Sequence, residues 1–83
     1  MLFEAYAIGK KQWLVLHIPT GENVMGYHLP FSYREQAEAY ATELEASPFI
    51  WVFTDPKEMI ILNDKKEIFA FVDAAYKRAE QVK

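Results

Sequence analysis

Five consecutive apolar residues, three of them aromatic, run from Phe49 to Phe53 between Ser47-Pro48 and Asp55-Pro56. Their length, composition and turn-forming borders predict a strand with no polar face. Such a strand needs cover on both sides, so the rest of the chain has to build layers around it.

The 83 residues leave little to build with. A chain of this size makes one domain, spanning 1–83, whose core is only just large enough to offset chain entropy. Aromatic residues, at 16%, load that core heavily. No cysteine is present, which excludes disulfides, thiolate metal sites and Cys nucleophiles and leaves packing or association as the sources of stability. The start Met1-Leu2-Phe3-Glu4 has neither a basic n-region nor a long apolar segment. Neither a signal peptide nor a membrane span is expected, and a cytoplasmic location is the default.

Along the chain, Leu2–Ile8 and Trp13–Ile18 are apolar runs joined by the turn Gly9-Lys10-Lys11, the pattern of a β-hairpin. Alternation in the second run puts Leu14, Leu16 and Ile18 on a plain core face and Trp13, Val15 and His17 on the other. Pro19–Asn23 forms a turn cluster. Val24–Leu29 then reads as a third strand, placed at a sheet edge by Gly26 and Pro30.

Ser32 and Glu35 form a capping box, and a helix is expected from about Tyr33 to Pro48 with Tyr33, Ala37, Tyr40, Ala41 and Leu44 on its apolar stripe. Asp55-Pro56-Lys57-Glu58 followed by Met59–Leu62 favours a second hairpin through a type I turn. The same residues could instead cap a short helix. Asp64 and Glu67 open a last helix whose stripe is Ile68, Phe71, Val72, Ala75, Ala79 and Val82. The expected fold class is α+β, a mostly antiparallel sheet of four to five strands with two helices, in the order β-β-β-α-β-β-α.

Two helices, each about 10 Å across, cover only one face of a sheet whose strands lie about 4.8 Å apart. If both sit on one side, the open face carries Trp13, Val15, one alternating set from the Phe49–Phe53 strand, and Tyr6 or Phe3. An apolar patch of that size marks an interface, most simply that of a homodimer. The candidate interface is therefore Trp13, Val15, Phe49, Trp51 and Phe53. One helix on each face would give a monomer instead.

Catalytic motifs are lacking. His17 and His28 stand eleven residues apart with no His-x-His or His-x-x-x-His spacing, so packing explains them more simply than metal or base chemistry. Gly9, Gly21 and Gly26 are too scattered for a phosphate loop, and no Gly-x-Ser-x-Gly elbow occurs. Asp55 and Asp64, the carboxylates best placed for acid catalysis, are more simply turn and cap. No enzyme, cofactor or metal is expected.

The net charge of −3 is concentrated on 32–47, where Arg34 faces Glu35, Glu38, Glu43 and Glu45, and this argues against duplex nucleic acid. Glu35, Glu38 and Glu45 form a candidate acidic surface for a basic protein partner. The function expected is that of a protein-interaction or assembly module, self-associating through a sheet face. The alternative is single-strand nucleic-acid binding by stacking on Trp13, Trp51 and Tyr6, with Lys10 and Lys11 nearby.

Overall fold

A computed structural model describes residues 2–47, 51–55, 58–61 and 65–82. The chain is a small α+β fold with two helices and an antiparallel sheet. Its strands are β1 (Phe3–Gly9), β2 (Gln12–His17) and β3 (Glu22–Asn23), followed by helix α1 (Arg34–Glu45), strands β4 (Trp51–Asp55) and β5 (Glu58–Ile61), and helix α2 (Lys65–Glu80).

The sheet itself has three strands rather than four or five. β1, β2 and β3 pair in that order, while β4 and β5 pair with each other in a separate two-stranded ladder. β2's far edge is taken first by β3 and then by Phe31, which exchanges backbone hydrogen bonds of 2.8 and 2.9 Å with Trp13. Residues 58–61 are strand, as the favoured hairpin required, and not helix. Phe49, Ile50, Pro56, Lys57, Leu62 and Asp64 lie outside the described residues.

The third strand is not where alternation puts it. Val24–Leu29 is a turn: Gly26 has φ +62°, a conformation only glycine adopts without strain, and the His28 N–H donates to the Met25 carbonyl at 3.1 Å. Asn23 starts this turn, its side-chain oxygen accepting from the Met25 N–H at 2.7 Å. Val24 and Met25 are thereby turned into the core, and Tyr27 and Leu29 are left 74% and 76% exposed.

α1 also begins later than the capping box implies. Its N-cap is Tyr33, in an extended conformation, and no side chain caps it. Phe31 has to stay extended to meet Trp13, which carries Ser32 away from the cap position. Gln36 does the satisfying instead. Its side-chain oxygen accepts from the Ser32 N–H at 3.2 Å, and its amide donates to the Glu80 carbonyl at the end of α2, at 2.8 Å. Tyr33, expected on the buried stripe, is 48% exposed, and Gln36 is buried in its stead.

α1 packs across β1 and β2, and α2 packs against α1. The two helices run in opposite directions, since Gln36 meets Glu80 and the Tyr40 ring meets Tyr76 edge-on at 6.2 Å. Ala37, Ala41, Ala75 and Ala79 keep the buried stripes thin. Both helices feed one core with Phe3, Val15, Val24, Met25 and Phe31, α1 lying directly on β1 and β2 and α2 packing against α1.

Candidate functional site

Antiparallel register fixes which sheet residues share a face, because residues directly opposite one another point the same way. Phe3 pairs with His17, Ala5 with Val15 and Ala7 with Trp13, and Val15 and Phe3 are fully buried under the helices. Glu4 pairs with Leu16 and Tyr6 with Leu14 on the other face. The Ile18 N–H donates to the Leu2 carbonyl at 2.7 Å and continues that set.

Among the described residues, the face turned away from α1 carries Leu2, Glu4, Tyr6, Leu14, Leu16 and Ile18 and is left open. Leu2, Tyr6 and Ile18 are 45%, 51% and 45% exposed. This corrects the expected assignment of faces. Val15 is core and Trp13 is half-buried on the helix side with the Arg34 guanidinium 5.1 Å above its ring. Of the set expected as core, Leu14 is half-buried and packs against the core, Leu16 is half-buried, and Ile18 is 45% exposed.

One signal could have found the right face: Glu4 has to meet water, and the hairpin register puts Leu16 and Leu14 beside it. His17 pointed the other way, and it is buried. Phe49 lies outside the described residues. Trp51 and Phe53 have their backbone in β4, and the direction of their side chains lies outside the description. Trp13 and Tyr6 sit on opposite faces and form no common stacking platform.

β1 is also a sheet border. Its even residues bond to β2, so the N–H and C=O groups of Phe3, Ala5 and Ala7 point outward. Glu45, at the end of α1, accepts from the backbone N–H groups of Leu2 and Phe3. Ala5 and Ala7 make no outward hydrogen bond among the described residues. Beside them lies a groove of about 450 Å³, with Phe3 and Ala5 on the strand side and Arg34, Glu38, Thr42 and Glu45 on the helix side. Of the candidate acidic surface, Glu38 and Glu45 are brought together here, and Glu35 stands exposed in the first turn of α1, outside the groove lining.

The histidines occupy separate places. His17 has Nδ1 2.9 Å from the Thr20 hydroxyl, and burial lowers its pKa from 6.5 against a smaller opposing pull from the Glu45 charge. His28 is sandwiched between Tyr27 and Tyr76, with ring centroids 4.3 and 4.2 Å away. Its Nδ1 donates to the Met25 carbonyl at 3.1 Å, and Nε2 lies 3.0 Å from the Asp73 carboxylate, an ion pair when the ring is protonated. Tyr27 donates its hydroxyl to the same carboxylate, which raises the phenol's pKa. With both ring nitrogens engaged, this cluster pins the 24–31 turn to α2 and presents no free base. No group of three or more His, Asp or Glu able to hold a metal ion occurs among the described residues. Asp73, Gln36 and Arg78, which pairs with Glu43, carry these links, and no spacing in the sequence marks them.

No family model, curated protein or solved structure matches the chain. No helix among the described residues is long and apolar enough to cross a membrane. What the protein does has to be read from its own surfaces.

Proposed function

We propose that this domain is a protein-interaction module that self-associates through the open face of β1 and β2. The observation that carries the reading is the half-exposed set Leu2, Tyr6 and Ile18, on the side of the sheet away from α1 and flanked by Leu14 and Leu16. A small monomer gains nothing by holding that many apolar groups in water, and a second copy stacked face to face about a two-fold axis removes them from it. Glu4 is the one charge within the patch and lies at its rim beside Leu16, where it keeps its hydration.

Light scattering over a concentration series tests the reading. The mass should rise from the 9.7 kDa of one chain towards twice that value. Tyr6→Glu should hold it at the single-chain mass with the helical circular dichroism intact. A wild-type chain that stays at the mass of one copy at the highest concentration refutes self-association.

A further inference from the structure

The free edge of β1 and the groove next to it are a different surface from the open face, and the structure assigns it an occupant: an extended peptide segment in which basic and apolar residues alternate. The edge supplies the hydrogen bonds. Ala5 and Ala7 each turn an N–H and a C=O outward, two residues apart, and neither side chain is large enough to block an approaching strand. The upper part of the edge is closed, because Glu45 occupies the Leu2 and Phe3 N–H groups, so an added strand registers on Ala5 and Ala7.

Charge selects the side chains. A strand added to β1 alternates in step with it, so every second residue points toward α1. There it meets the stripe Arg34, Glu38, Thr42 and Glu45, two carboxylates against one guanidinium. Basic side chains fit that side. The intervening residues continue the surface of Tyr6 and Leu14, where apolar side chains fit. A second copy of this chain is the poorer occupant, since β1 pairing with β1 sets two acidic α1 stripes side by side. The groove volume of about 450 Å³ lies within the range of peptide and small-ligand sites.

The test is a titration of isotope-labelled protein with the peptide Lys-Val-Lys-Val-Lys-Val, followed by backbone amide shifts, with sedimentation run in parallel so that peptide binding and dimer formation are read separately. The Ala5 and Ala7 amides should shift, and Glu-Val-Glu-Val-Glu-Val should bind more weakly. Glu38→Lys, at an exposed position, should weaken the basic peptide by about fivefold to tenfold without changing the melting temperature. N-methylation of all Lys residues or of all Val residues should abolish binding in one series only, because strand pairing uses every second peptide N–H. Unmoved Ala5 and Ala7 amides, equal binding of the acidic peptide, or equal effects of the two N-methyl series overturn the assignment.

Discussion

Replacing Tyr40 by Phe removes one oxygen and leaves the rest of the core in place. The Tyr40 ring is fully buried, tilted against Phe31 at 5.5 Å and edge-on to Tyr76, and those contacts survive the change. What is lost is the 3.1 Å bond from its hydroxyl to the carbonyl of Val24, itself a core residue. Water cannot reach that carbonyl to replace the phenol. The cost is therefore that of an orphaned buried acceptor, about 1–3 kcal/mol. Unfolding entropy for 83 residues is about 0.17 kcal/mol per degree, so 2 kcal/mol lowers Tm by about 11 °C.

Tyr76→Phe is the internal comparison. Its hydroxyl donates to the carbonyl of Leu29 at 2.7 Å, but Leu29 is 76% exposed and water can take over, so the loss should stay under about 1 kcal/mol. Urea and thermal unfolding of the two variants, with amide exchange over 24–31, measure both. A Tyr40→Phe loss below about 0.5 kcal/mol, or one no larger than that of Tyr76→Phe, refutes the reasoning.

Three further outcomes are expected. Because burial lowers the pKa of His17 from 6.5, the unfolded chain takes up its proton first as pH falls. The contribution of the neutral ring is complete above about pH 6.5 and is lost below it, so urea midpoints at pH 7.5 and pH 5 should differ less in His17→Gln than in wild type, and equal differences contradict this. Lys11 turns the first hairpin at φ 55°, a left-handed conformation that costs a side-chain-bearing residue about 1 kcal/mol, so Lys11→Gly should raise Tm, and a lower value counts against the turn. Glu45→Ala should speed exchange of the Phe3 amide and cost about 1 kcal/mol, while Glu45→Gln, which keeps an acceptor, should restore most of both.

The helices were the most legible part of the sequence, because apolar spacing of three and four residues is set by the helix itself. Ala37, Tyr40, Ala41 and Leu44 are buried in α1, and Ile68, Val72, Ala75 and Ala79 in α2, all on the expected stripes. The strand within Phe49–Phe53 was legible as an element, and the structure places it at Trp51–Asp55. Which face of the hairpin turns inward was not. Alternation is symmetric, and the choice is made by distant partners: Phe31 bonding to Trp13, and the Val24 N–H donating to the Val15 carbonyl at 3.0 Å. The same long-range pairing overrode the Ser32–Glu35 box, and the positive φ of Gly26 broke a run that alternates like a strand. The groove beside β1 could not be seen at all, since it exists only where α1 lies along the edge of the first strand.

The acidic end of α1 has a consequence for how the helix comes to exist. Its last turn carries Glu43 and Glu45 and no basic residue, the wrong sign for the negative end of a helix dipole. At 12 residues it is also too short to be stable in isolation. Its compensations come from elsewhere: Arg78 of α2 grips Glu43, and the N–H groups of Leu2 and Phe3 hold Glu45. A peptide cut from 33–47 should be largely unstructured in water. In the intact chain this helix is a product of assembly, appearing only once the first strand and the last helix are in position to receive its charges.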